Sequence, residues 1–375
     1  MTGPRPPEDS GPDLSPETAP AETAPAETAP AEASDEPISL GRRLRQPRTV
    51  ISIAVPLVII AVFVYLNREQ LGRVPELIFD ANPLLFLAAF GVFYLGFPLR
   101  GYRWASLLRG TGVRIGTKDS TEIIFLSWLV NCVVPAKLGD VYRAYLLKIN
   151  SSVSLSRTFG TVFMERILDL FAIAILGLAA GFWSFRSGMP PAIQAVFIIG
   201  LVVVVALGLG MFTLRNFGRR LITALPLPER IAEFYERFEE GVFGAIGLRG
   251  LPRLGVLTGL IWATESLRLF LVVEALGFPD VSLGLSGAVF IALIGSLLTA
   301  VPLAPAGLGV VEFGMAGVLN VAYGVPLPEA TAIVLLDRVI SVFSIIVLGS
   351  IAYALSKKPR GEEFVAEEQL VNGTA

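Results

Sequence analysis

The chain of 375 residues contains no histidine and a single cysteine, Cys132. These absences remove several classes of chemistry: no His-ligated metal site, no Ser-His-Asp triad and no intrachain disulfide can be assembled from it. Neither a cofactor nor a metal is expected, and no nucleic-acid partner. Charge is scarce too, at 17% of residues against 53% hydrophobic, where a soluble protein carries roughly 25% charged residues. Apolar runs fill the sequence instead, several reaching the ~17–25 residues of helix that cross about 30 Å of hydrocarbon. The composition predicts an all-α polytopic membrane protein.

Residues 1–48 stand apart. The first 41 hold nine acidic side chains against Arg5 alone, and Thr-Ala-Pro-Ala-Glu recurs from Thr18 to Glu32, a composition that cannot bury a core and predicts disorder. The segment lacks the basic start and apolar centre of a cleavable signal peptide. Apolar sequence begins after Arg42, Arg43, Arg45 and Arg48, so the first helix reads as an uncleaved anchor. Setting aside residues 1–41 and the tail after Ser356 leaves 26 basic and 19 acidic side chains. The remainder, the membrane core 49–355 with its basic flank 42–48, is therefore basic although the whole chain is not.

Spans are predicted near Val50–Leu66, Leu84–Leu99, Thr158–Phe182, Ala192–Leu214, Leu254–Leu276 and Ala330–Leu355. Two further apolar stretches, about Ser120–Leu147 and Leu285–Tyr323, are broken by proline and glycine. Basic clusters at 42–48, 100–118, 215–220 with Arg230, and 357–360 place these segments on the cytoplasmic side by the positive-inside bias. That topology closes when both broken stretches are re-entrant hairpins, the first dipping in from the cytoplasm and the second from outside. Both termini, including the tail 356–375, are then cytoplasmic, and the protein is a multi-pass protein of the cell membrane. The other option is that both stretches span as kinked helices, since membrane helices tolerate proline. Between the halves, residues 228–247 read as a cytoplasmic amphipathic connector lying along the membrane. Its apolar face is Ile231, Phe234, Tyr235, Phe238 and Val242; glutamates occupy most of the opposite face.

The two halves share one spaced pattern. Arg103 precedes Gly112 by nine residues and Arg268 precedes Gly277 by nine; Glu165 precedes Gly177 by twelve and Asp337 precedes Gly349 by twelve. Between these pairs lie the turns Pro135-Ala-Lys-Leu-Gly139-Asp140 and Pro302-Leu-Ala-Pro305-Ala-Gly307-Leu-Gly309. The pattern predicts two inverted-topology repeats, about 84–182 and 250–355, each with a proline/glycine-broken hairpin, an arrangement used by many transporters.

Charges inside the apolar sequence are the candidate functional residues. A charge at the bilayer centre costs about 2.5–3.5 kcal/mol on insertion scales, so such groups pair or line a wet cavity. Glu165, Arg166, Asp169, Glu265, Arg268, Asp337 and Arg338 are of this kind. Buried Arg-carboxylate pairs lock helices together; alternatively, arginines offer bidentate donors to a lipid phosphate. At the first turn Asn131, Lys137, Asp140 and Arg143 gather around Pro135 and Gly139, with Lys137 and Arg143 as candidate phosphate contacts. The second turn has Pro302, Pro305, Gly307 and Gly309 and no charge before Glu312. A half-helix starting after either glycine would aim free amides at an anion.

The run from Asn131 to Arg143, Glu165-Arg166 with Asp169, the Pro302–Glu312 turn and Leu336-Asp337-Arg338 together resemble the membrane domain of the lysylphosphatidylglycerol synthase and flippase proteins and its stand-alone relatives. The likeness covers about residues 50–355. It implies a domain with two re-entrant repeats that moves a phospholipid, or a polyprenyl-phosphate-linked sugar, between leaflets. Those synthases also carry a soluble aminoacyl-transferase domain, which is not expected here, since the chain ends about twenty residues after the last span. The resulting expectation is a flippase-like transporter of an anionic lipid, more a transporter than an enzyme. The alternative is a membrane-embedded glycosyl or lipid transferase, or an accessory subunit with a lipid-modifying enzyme as partner.

Overall fold

The computed structural model describes residues 68–356 except 135–136, 152, 187, 189–190, 225–228, 246–249, 280, 282 and 300–303, together with positions 3, 58 and 65. The acidic segment 1–48, most of the predicted span Val50–Leu66, the prolines Pro135 and Pro302 and the tail after Ser356 lie outside the described residues. Every regular element among the described residues is helical. Five helical segments are long and apolar enough to cross a membrane, Pro83–Gly110, Leu155–Ser184, Leu251–Leu276, Pro305–Tyr323 and Leu327–Leu355. The protein is an all-α multi-pass membrane protein.

After two short helices, Arg68–Leu71 and Val74–Phe79, the chain enters α1 (Pro83–Gly110). Its start is set locally: Asn82 Oδ1 accepts from the amides of Leu84 and Leu85, and Pro83 takes a position whose N–H would have no helical partner. Then come α2 (Thr117–Val133) and α3 (Leu138–Ser151), the arms of the first hairpin, followed by α4 (Leu155–Ser184) and α5 (Pro191–Ala224). The predicted connector is α6 (Glu229–Gly244). The second half runs α7 (Leu251–Leu276), then the hairpin arms α8 (Gly284–Leu298) and α9 (Val310–Tyr323), joined through the 3-10 turn Pro305–Gly307. Last is α10 (Leu327–Leu355), which contains a π-helical turn at Val339–Phe343, directly after Arg338.

Each of the four hairpin arms has 14 to 17 residues, or about 21–25 Å of helix at 1.5 Å per residue. That is short of a full crossing. The segment Pro305–Tyr323 reaches crossing length only by including the broken turn before α9.

The repeated glycines have structural reasons. Gly112, just past the end of α1, and Gly277, the C-cap of α7, both sit in the left-handed region (φ 85° and 58°), where a side chain would be strained. Gly177 of α4 faces Leu293 of α8, and Gly349 of α10 faces Leu129 of α2. Each long helix thus packs on the first hairpin arm of the opposite half. Helices α1 and α7 pack antiparallel: the Asn82 amide donates to the Ala275 carbonyl (2.7 Å) at one end, while Arg103 reaches Thr258 (3.0 Å) near the other.

Polarity is turned inside out relative to a soluble protein. Leu87, Ile175 and Val347 are more than half exposed, whereas Arg103, Arg143 and Glu165 are 1–3% exposed. Lipid as solvent accounts for both: it accepts apolar surface at no cost and expels charge.

Connector α6 lies on α4. Gly160 and Gly241 let the backbones touch, Phe163 and Phe238 meet at 5.4 Å, and Arg157 pairs with Glu240 at 2.8 Å. Val242, at the C-terminal end of the predicted apolar face, is fully buried, while Ile231 and Phe234 remain exposed.

Candidate functional site

Two ion-pair networks occupy the interior, one in each half. In the first, Arg103 of α1 makes a forked contact to Asp169 (2.6 and 3.2 Å) and lies 3.1 Å from Glu165. Glu165 also accepts two bonds from Arg143 (2.7 and 3.3 Å), whose guanidinium lies 3.9 Å from the centroid of the Trp104 ring. Arg166 turns the other way, donating Nε and Nη2 to Asp140 at the head of α3 (3.1 and 2.7 Å). Neighbouring helix residues point about 100° apart, so Glu165 and Arg166 reach different partners, and Asp169 lies one turn on beside both.

The second network repeats this plan. Arg268 of α7 forks onto Asp337 (2.8 and 3.2 Å) and also holds Glu265 (2.8 Å). Arg338, like Arg166, turns to the hairpin and donates Nε to Glu312 (2.7 Å). The two arginine-hairpin pairs have the same sequence separation, 26 residues. Arg338 Nη2 goes further than its counterpart and donates to the Ala306 carbonyl in the turn (2.8 Å). Glu265 also accepts from Arg100 at 2.5 Å, a contact that joins α1 to α7.

The turns themselves are closed by side chains. The Gly139 amide donates to Asn131 Oδ1 (2.8 Å) and the Gly309 amide to Glu312 (2.6 Å). One amide at each turn is therefore already satisfied, that of Gly139, the second residue of α3, and that of Gly309, just before α9. In the left-handed region lie Lys137 (φ 53°) in the first turn and Ala306 (50°), Gly307 (69°) and Gly309 (82°) in the second.

Between the hairpins opens a cavity of about 290 Å³, roughly the space of ten waters at ~30 Å³ each. Trp128, Asn131, Cys132 and Lys137 line it from the first hairpin; Gly295, Thr299, Ala306 and Gly307 line it from the second. Of the predicted residues, Asn131, Lys137, Arg166, Asp169, Glu265, Arg268, Asp337 and Arg338 reach the wall. Asp140, Arg143, Glu165 and Glu312 are not part of the wall and act as the ion-pair partners of its neighbours. Gly307 lines the cavity, and Pro305, Gly139 and Gly309 shape the turns.

One wall residue departs from the sequence expectation. The sequence places Arg100 in the basic flank at 100–118, yet it is 6% exposed and its guanidinium lies 4.7 Å from the Trp128 ring centroid. A signal existed: Arg100 is three residues before Arg103, hence on nearly the same helix face. The exposed basic residues of this flank are Arg109, in the last turn of α1, Arg114 and Lys118.

Comparison with known proteins agrees with this architecture. The family model described as the lysylphosphatidylglycerol synthase TM region matches residues 50–349. The UPF0104 membrane protein MJ1078 of Methanocaldococcus jannaschii is 34% identical over 240 residues, covering 63% of this chain and 99% of its own. A UPF0104 membrane protein of Methanothermobacter thermautotrophicus is 28% identical over 313 residues, 79% of this chain and 89% of its own. Glycosyltransferase AglD of Haloferax volcanii is 28% identical over 309 residues. That match takes in 74% of this chain but 49% of AglD, so the chain spans about half the length of that relative.

Proposed function

Because the chain belongs to the lysylphosphatidylglycerol synthase TM region family, we propose that it moves a lipid with an anionic head between leaflets. The head passes through the cavity between the hairpins while the tails stay in the bilayer. One observation carries the reading: a cavity among the apolar helices is walled by five basic side chains (Arg100, Lys137, Arg166, Arg268, Arg338) against three carboxylates (Asp169, Glu265, Asp337). Its volume, about 290 Å³, suits a headgroup. The antiparallel α1 and α7, with hairpins too short to cross, support an inverted repeat in which the two hairpins gate the cavity alternately. In this arrangement both termini face the cytoplasm and the protein sits in the cell membrane.

The test is transbilayer movement of a fluorescent anionic lipid in proteoliposomes made with the purified chain, followed by quenching from outside. Protein-dependent loss of the protected inner-leaflet pool is expected. An unchanged pool would sink the reading.

AglD favours a second reading, because a protein named a glycosyltransferase carries a matching membrane region within a chain about twice as long. Here the chain would present a lipid to a separate lipid-modifying enzyme. Lipid movement by the purified chain alone distinguishes the two, since an accessory subunit would need that enzyme.

A further inference from the structure

The two networks contain six arginines (Arg100, Arg103, Arg143, Arg166, Arg268, Arg338) and six carboxylates (Asp140, Glu165, Asp169, Glu265, Glu312, Asp337), each within ion-pair distance of at least one partner. Their charges cancel. Lys137 lines the same cavity and has no ion pair among the described residues. The site as folded thus carries one positive charge in excess, at the tip of the first hairpin. Beside it, Asn131 also lines the cavity. Because Asn131 Oδ1 accepts the Gly139 amide, its Nδ2 is the end left to donate, and no partner for it is found among the described residues.

Lys137 occupies a position that suits glycine better. Its φ of 53° is left-handed, and the second hairpin has Gly307 (φ 69°) at the same place in Pro-Ala-x-Leu-Gly. A charged side chain kept in a strained conformation, outside ion-pair distance of any carboxylate among the described residues and beside a cavity, is an outlier that points to function rather than folding.

We infer that the cavity is matched to a single negative charge, so that its ligand is a lipid with one phosphodiester and not one with a diphosphate linkage. Lys137 neutralises the phosphodiester and Asn131 Nδ2 donates to one of its oxygens. A diphosphate would bring a second negative charge, and every arginine at the site is already committed to a carboxylate. That extra charge would have no cation left to pair with and only the few waters of the cavity to solvate it. This inference rests on the proposed lipid-binding role of the cavity and narrows its substrate.

The test uses the full chain in detergent and two probes, short-chain phosphatidylglycerol and a short-chain polyprenyl diphosphate sugar. Binding is measured for the parent protein, Lys137→Arg and Lys137→Gly. Glycine suits the backbone at this position, so Lys137→Gly keeps the fold; a melting temperature no lower than the parent's verifies this. We expect the parent to prefer phosphatidylglycerol by roughly tenfold or more, the scale of one charge-assisted contact. Lys137→Gly should lose about that factor toward phosphatidylglycerol, with Lys137→Arg retaining most of it. Equal or tighter binding of the diphosphate lipid by the parent, or undiminished phosphatidylglycerol binding by Lys137→Gly, overturns the single-charge inference while leaving lipid transport standing. Binding of neither probe overturns both.

Discussion

The first and second hairpins share a framework and differ in chemistry. Each has two short helical arms, a Pro-Ala-x-Leu-Gly turn with a left-handed residue at x, a side chain capping the amide of the final glycine, and an arginine from the following long helix paired 26 residues back. In the first, x is Lys137, the cap is the neutral Asn131, and Arg166 contacts only carboxylates. In the second, x is Gly307, the cap is Glu312, and Arg338 ties both that carboxylate and the Ala306 carbonyl. The first turn therefore displays a charge, and the second spends its charges holding itself together. On the proposed reading the first hairpin meets the ligand and the second keeps its shape.

Removing the arginines should break this symmetry most strongly. Arg338→Ala leaves Glu312 without its charge partner and the turn without its tie, and breaking a buried pair costs about 3–5 kcal/mol. We expect a large fall in melting temperature with loss of lipid movement. Arg166 is more accessible, its side chain 37% exposed, so Arg166→Ala should lower the melting temperature much less. Comparable losses would show that the second hairpin is no more dependent on its arginine than the first. Arg166→Lys keeps the charge but not the forked contact to Asp140, and should preserve the fold while slowing lipid movement. Equal losses of stability and movement would instead mark Arg166 as a lock.

The arms respond next. A methyl group at Gly139 would run into the Ser127 carbonyl and the Asn131 side chain, whereas at Gly314 it would meet only the movable end of Leu298. Gly139→Ala should cost about 1–3 kcal/mol, as overpacking does. A clearly smaller loss is expected for Gly314→Ala, and melting curves of the pair settle the order.

The smallest effects lie at the turns. Relieving left-handed strain should stabilise by about 1 kcal/mol at either Lys137→Gly or Ala306→Gly. A drop in melting temperature for Lys137→Gly would mean that the lysine also supports the fold.

Much of this was legible in the chain because it depends on backbone demands. A helix that ends on a left-handed residue asks for glycine, so Gly112 and Gly277 reveal equivalent helix ends; a tight helix contact asks for it at Gly349, where a methyl would lie 3.0 Å from Leu129, whereas a methyl at Gly177 would make only ordinary contact with Leu293. Partner choice across helices was less legible. The spacing of Asp140 and Arg143 puts them on adjoining faces of α3, yet only the fold sends Arg143 to Glu165 and Trp104 and Asp140 to Arg166. Arg100 was obscured for another reason: α1 continues eleven residues past Leu99, to Gly110. A basic residue at the apparent end of an apolar run reads as an interfacial anchor until the helix is seen to carry it inward.

The central claim is that lipid passes through the cavity between the hairpins, and the chain's single cysteine lies on that wall. Alkylating Cys132 with a small uncharged maleimide and measuring transbilayer movement of phosphatidylglycerol in proteoliposomes tests the claim directly, with Cys132→Ala as the control. Movement should stop in the alkylated parent and persist in treated Cys132→Ala. Quantitative alkylation with undiminished movement would contradict the account.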